Sequence, residues 1–312
     1  MTHTSRAPKA PARGGGLRLG YACVNTQLPS AARTVRLANA TAQRLRELIA
    51  GNLDALEEIL RWNSEHDIEV FRITSGLIPF GSHAVNDLVW CEEFADRLDR
   101  VGALGGRLST HPGQYTVLSS ARPEVVANAV AELEYHDRLL SALGLDSAHK
   151  IVIHVGSTER FEAAFQTLSD KVRSRLVLEN DEQAPLAEVL PLAERLRVPV
   201  VFDVFHHRLA PSFAGVPTRE LVLMVAETWQ ASDGPQKIHF STQAPGKRRG
   251  AHAETIDLEA FGELLHEVGD LPLDCMLELK DKEQSVLRAK ELLGSAILRS
   301  SPRSSVDRAV VS

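Results

Sequence analysis

The chain has 312 residues, 44% of them hydrophobic and 24% charged, which supplies a sizeable core and excludes a wholly disordered or fibrous protein. Lys and Arg number 35 against 41 Asp and Glu, so the net charge of -6 excludes a polyanion binder held by bulk charge and leaves only a local basic patch open. Three cysteines (Cys23, Cys91, Cys275) make neither a zinc thiolate quartet nor a disulfide framework, and no apolar run nears the ~20 residues of a bilayer span, so a cytoplasmic protein is expected.

Residues 1–16 (MTHTSRAPKAPARGGG) carry three basic residues, no acid and little to bury, and are expected to form a disordered arm. Beyond it, apolar runs at 17–24, 69–74, 107–111, 151–155, 176–179, 198–204, 237–241 and 275–279 predict strands. Each precedes a stretch of helical periodicity, at 41–64, 85–102, 122–142, 158–172, 184–196, 217–229, 257–267 and 283–295. Runs such as IVIHV and PVVFDV are apolar on both faces, as parallel strands covered by helices and filled from within must be. Eight βα units with no GxGxxG or GxxxxGK[ST] loop predict an α/β fold, a single (β/α)8 TIM barrel over 17–297, rather than an open doubly wound sheet. The Ser/Arg-rich stretch 298–312 is expected to be a disordered tail.

A parallel barrel does its chemistry at the carboxyl ends of its strands. There the sequence places His111 at strand three, His154 at four, Glu179 at five, Asp203 with His206 at six, His239 at seven and Glu278 at eight. His83 and His252 follow in the loops after strands two and seven. One such residue alone is more often a hydrogen-bonded rim residue than a ligand. Together they resist that reading, because carboxylates this dense repel unless cations sit among them, and imidazole mixed with carboxylate is what Zn and Mn accept. A divalent-metal centre is therefore expected at the barrel mouth. These nine side chains exceed one ion's coordination, so at least two ions, and rather three, would share them, with Glu179 as the bridge. His66, His136, His149 and His266 fall on helices or helix ends and read as solvated surface, while His207 would face away from His206 on an extended strand.

The same segments carry a signature. Tyr21-x-x-x-Asn25, SGLIPFGSH (75–83), STHPGQY (109–115), LVLEND (176–181), FDVFHH (202–207), KIHFS (237–241), GAHAE (250–254) and LELKDKE (277–283) together resemble the UV damage endonuclease family, related to TIM-barrel nucleases of the endonuclease IV class. The resemblance implies a three-metal centre, commonly manganese with zinc or cobalt as alternatives, that nicks DNA immediately 5′ to pyrimidine dimers and 6-4 photoproducts. It implies His111, His154, Glu179, Asp203, His206, His239, His252 and Glu278 as metal ligands, with His83 a further histidine of the centre. It also implies Gln114 and Tyr115 as a pair that wedges into the duplex, Tyr21 and Asn25 as lining of a lesion pocket, and Lys237 as a lysine carboxylated beside the metals. The loop RLAPSFAGVPTRE (208–220) departs from the family pattern.

Divalent ions suit phosphodiester cleavage because they lower the pKa of water from ~15.7 toward ~7 and neutralise developing charge. Three of them would offset the chain's net charge of -6, which gives weight to local bases. Lys247, Arg248 and Arg249, between His239 and His252, and Arg33 with Arg36 after strand one, read as phosphate contacts. The expected protein is thus a monomeric, metal-dependent endodeoxyribonuclease acting on damaged double-stranded DNA, with Glu179 and Lys237 in its catalytic centre. No membrane or protein partner is expected, and the enzyme would join the nucleoid when bound to DNA. Three alternatives remain: an abasic-site endonuclease with nearly the same ligands, a metal-dependent sugar isomerase on the same barrel, and a non-catalytic damage-binding protein. The Tyr21/Asn25 lining argues against the first, the basic run against the second and the intact ligand set against the third.

Overall fold

The computed structural model describes residues 16–300, in which eight parallel strands close into a barrel in chain order. They are β1 (Arg18–Cys23), β2 (Val70–Ile73), β3 (Arg107–Thr110), β4 (Ile151–His154), β5 (Leu176–Glu179), β6 (Val200–Asp203), β7 (Lys237–Phe240) and β8 (Asp274–Leu277), which pairs back onto β1. Side chains alternate along each strand, so Leu19, Phe71, Ile153, Leu178, Phe202, Ile238 and Leu277 point outward into the main core beneath the surrounding helices. Close packing of the first two strands demands Gly20, where an added Cβ would lie 2.0 Å from the carbonyl oxygen of Val70.

Inward residues form separate layers. Val152, Val177 and Val201, and opposite them Ala22, Val70 and Met276, fill the interior as two small clusters apart from the main core. Below them the buried carboxylate of Asp274 meets Arg18 at 2.6 Å and Arg107 at 3.4 Å. The floor is therefore closed, and inward side chains at the strand ends face the carboxyl-terminal mouth.

The strands lie where the apolar runs predict, and the helices show where tertiary context overrides periodicity. Of 85–102, only Trp90–Glu93 and Ala95–Gly102 are helical. The stretch 158–172 splits into Thr158–Phe165 and Asp170–Arg175, because the Ser169 hydroxyl accepts the Val172 N–H and caps a new helix. The last helix, Glu283–Ser300, runs past 295 into the start of the expected tail; the rest of that tail and residues 1–15 of the expected arm lie outside the described residues.

The largest correction follows β6, expected to run to 204. The strand stops at Asp203, whose carboxylate accepts the His206 N–H at 2.7 Å and caps a six-residue helix, Val204–Leu209. His207 is therefore turned from His206 by helical rotation, and its ring packs 5.2 Å from that of Phe202. His136 is a second correction: it is fully buried, 3.4 Å from Glu132, on the helix Pro123–Ala142. His149 is half-buried against Asp146, His66 stacks on Trp62, and His266 is exposed as expected. Among the described residues no helix is long and apolar enough to cross a membrane.

Candidate metal centre

Period-two alternation sends His154, Glu179, Asp203 and His239 into the top layer of the interior, and His111 and Glu278 join them just past the ends of β3 and β8. Glu179 is the hub. Its Oε2 lies 3.0 Å from His111 Nε2 and 3.5 Å from His154 Nε2, and its Oε1 lies 2.5 Å from His239 Nδ1. The same His239 nitrogen is 3.3 Å from Glu278 Oε1 and 3.9 Å from Asp203 Oδ2. Two three-residue sets, His111/His154/Glu179 and Glu179/Asp203/His239, each hold all their ligand atoms within 4.8 Å of one another, and they share Glu179. His206 extends the cluster, its ring centroid 5.9 Å from that of His154 and 5.8 Å from that of His252.

The outer nitrogens show how the rings are held. His111 Nδ1 faces the Pro112 carbonyl at 3.0 Å, and His252 Nδ1 faces the Glu278 carbonyl at 2.9 Å. His154 Nδ1 faces Asp181 at 3.2 Å, and His206 Nδ1 faces Glu182 at 2.9 Å. For His111, His206 and His252 the acceptor favours the Nδ1–H tautomer, which makes the Nε2 lone pair available to a cation, whereas His154 Nδ1 lies near Asp181 without a hydrogen bond. His239 is reversed: its Nδ1 meets the carboxylates and its Nε2 is buried without a partner.

The electrostatics suit bound cations. Burial pushes the Asp203 carboxyl up to about 7, with neighbouring Glu179 adding to the effect. Burial opposes ionisation of Glu179 too, yet His239, His154 and His111 hold its carboxyl well below the usual range. His154 rises to about 9, because Glu179 and Asp181 outweigh the burial that disfavours its charge. Asp203 spends Oδ1 on the helix cap, its backbone N–H and carbonyl are both held by Asn180, and its Oδ2 is buried with no hydrogen-bond partner. An orphaned carboxylate oxygen among imidazoles of set tautomer fits a divalent ion.

Other expected site residues are placed as follows. His83 belongs to neither set; it is exposed and its Nδ1 accepts the Val85 N–H at 3.0 Å. Lys237 is fully buried one layer beneath His239, where its amine donates to Ser109 at 2.7 Å; burial, then Arg107, lowers its pKa to about 7. Tyr21 faces outward rather than toward the mouth and has no exposed surface; its hydroxyl donates to Asn63 and accepts from Asn25. Gln114 and Tyr115 stand in the loop after β3, with Tyr115 83% exposed. Lys247, Arg248 and Arg249 are exposed on a turn closed by the bridge between Gln243 and His252.

Four contributors escape a reading of the strand ends alone. Asp181 and Glu182 follow Glu179 after Asn180, and that cluster of acids at a strand end is the available signal. Arg72 reaches in from β2 to pair with Glu278, and an arginine at an inward strand position signals such a partner. Glu283, fully buried at the start of the last helix, accepts from the Thr26 N–H and hydroxyl and so fixes the turn bearing Asn25; only the folded chain brings these together.

The sequence model of the family described as UV-endonuclease UvdE matches residues 17–302. A UV DNA damage endonuclease of Clostridium perfringens is 35% identical over 87% of this chain and 69% of its own length. A UV-damage endonuclease of Schizosaccharomyces pombe is 35% identical over 86% of this chain and 49% of its own length. Among solved structures, SacUVDE matches with a TM-score of 0.84 and 37% identity, over 90% of this chain and 99% of that one. Endonuclease IV from Thermus thermophilus, with a TM-score of 0.56 and 16% identity over 91% of this chain and 100% of its own, shares the fold. A closed parallel barrel with histidines and carboxylates joined through Glu179 at its mouth, matched along nearly its whole length, belongs to the UV-endonuclease UvdE family.

Proposed function

We propose that this UV-damage repair endonuclease cuts duplex DNA immediately 5′ to photoproducts at the centre built around Glu179. The observation that carries the reading is the sharing of Glu179 by two compact ligand sets. Divalent ions bound there, three with manganese foremost, would supply a nucleophile at neutral pH and neutralise charge on the phosphate and the leaving oxygen. His111 and His154 would hold one ion with Glu179, and Asp203 and His239 another, while His206, His252 and Glu278 surround the remaining position and His83 stands at the rim. Glu182 and the two backbone carbonyls would keep the imidazoles of His206, His111 and His252 turned inward, with the Asp181 carboxylate beside His154. Arg72 keeps Glu278 ionised beside His239. Lys237 would take up CO2 through its buried amine, forming a carbamate and releasing a proton, in a layer already rich in Arg18, Arg72 and Arg107.

DNA would be met at the rim. Gln114 and Tyr115, both exposed on the loop after β3, would enter a stack already weakened by damage. Lys247, Arg248 and Arg249 would hold phosphates, and Asn25 would line the lesion pocket with Tyr21 supporting it from behind. The enzyme would act as a monomer on damaged duplex DNA in the cytoplasm. The epimerase structures that match at 12–13% identity share the fold and lend the isomerase reading nothing more. Incision rates on photoproduct, abasic-site and undamaged duplexes, measured side by side with added Mn2+, test the proposal. The photoproduct should be cut fastest; preference for the abasic site would favour the other repair activity.

A further inference from the structure

Among the described residues, Tyr115 and Phe213 are the two exposed large aromatics, at 83% and 38%. Both lie at the barrel mouth. Tyr115 follows β3, and Phe213 follows β6 on the segment between the helices Val204–Leu209 and Thr218–Ala226, three strands round the barrel. Ser212 ties that segment to the rim, its hydroxyl accepting the Ala187 N–H at 3.2 Å. Arg249 donates to the Leu209 carbonyl, so the exposed turn of Lys247, Arg248 and Arg249 sits against the same segment, with exposed Arg208 beside it.

Phe213 is also conformationally costly. Its φ is +57°, in the left-handed region that L-residues with bulky side chains avoid and that Asn or Gly fill more cheaply. It belongs to none of the hydrophobic clusters and has no ring contact among the described residues. With 38% of its surface exposed and no aromatic partner, the ring is available at the surface, and local strain at a functional surface has a known use in presenting a side chain. An exposed ring on a mouth-side segment that follows Arg208 and meets the Arg249 turn has the chemistry to recognise a base or sugar face next to phosphates.

We propose that Phe213 is a second aromatic contact to damaged duplex DNA, set across the mouth from Tyr115, so that the two rings bracket the lesion. This rests on the reading of the site as a DNA-damage endonuclease. It concerns a loop that departs from the family pattern, and it gives that loop a role in substrate discrimination.

The test measures binding and incision separately for the full chain and for Phe213→Ala, Phe213→Asn and Phe213→Trp. Binding uses a photoproduct duplex with an uncleavable linkage 5′ to the lesion, against its undamaged counterpart. Ala and Asn should weaken binding of the damaged duplex roughly 5- to 150-fold, the range expected for one lost stacking contact, with a smaller effect on undamaged DNA. Trp should restore it. Bound metal should not change, and the Tm of the Asn variant should hold or rise, because Asn accepts the left-handed backbone. Unchanged binding by the Ala variant would overturn the contact, as would a lower Tm accompanied by equal losses on both duplexes. Wild-type protein that binds the damaged duplex tightly without cutting it would instead refute the endonuclease reading and leave the Phe213 comparison decisive.

Discussion

The imidazole of His154 turns Nδ1 toward Asp181, 3.2 Å away, and by doing so leaves Nε2 facing Glu179. Asp181 also accepts the backbone N–H groups of Gln183 and Ala184, so its carboxylate is fixed before it meets the ring. Orienting carboxylates of this kind are worth about 10- to 100-fold in metal affinity. Asp181→Asn should weaken metal binding within that range in a chelator-competition titration while leaving the fold intact, since the amide can keep the turn. Wild-type affinity in this variant would remove Asp181 from the centre.

Glu179→Gln should abolish incision and lower the number of bound ions, because an amide cannot supply the shared charge. Metal analysis and a circular-dichroism spectrum on the same sample separate this from unfolding. Incision within about tenfold of wild type, a loss of only about 1.4 kcal/mol in transition-state stabilisation, would contradict the bridging role.

Tyr115→Ala, alone or with Gln114→Ala, should reduce incision of damaged duplex with little change in bound metal, as both side chains lie in the loop beyond His111. A lost stacking contact of about 1–3 kcal/mol sets the expected scale. Loss of an ion in this variant would place Tyr115 in the metal shell instead.

The barrel was legible because apolar runs and helical periods alternate eight times, and the centre was legible because polar residues recur at strand ends whose inward direction alternation fixes. What the sequence concealed depends on local capping and on contacts distant along the chain. Asp203 ends β6 and starts a helix where the apolar run suggests a strand continuing to 204. His136 falls on the same helix face as buried Ala129, Leu133 and Leu140, so the helical period places it inward and only its residue type reads as surface. Tyr21 was expected at a pocket, yet it shares the outward parity of Leu19, and the pairing of Arg72 with Glu278 spans 206 positions.

Lys237 should gain the mass of one CO2 when the protein is prepared gently with bicarbonate, and lose it on mild acidification. Lys237→Gln and Lys237→Arg should then differ, because only the second keeps a cation in a layer already holding Arg18, Arg72 and Arg107. Unmodified mass together with equal behaviour of the two variants would reduce Lys237 to a buried donor to Ser109.

Mapping the cut on a duplex with a single cyclobutane pyrimidine dimer, at nucleotide resolution and with Mn2+ or excess chelator, tests the central claim most directly. The account predicts one break at the phosphodiester immediately 5′ to the dimer, ending in a 3′-hydroxyl that a polymerase extends, with no break under chelation or in undamaged DNA. Cutting that persists under chelation, or falls without regard to the dimer, would contradict it.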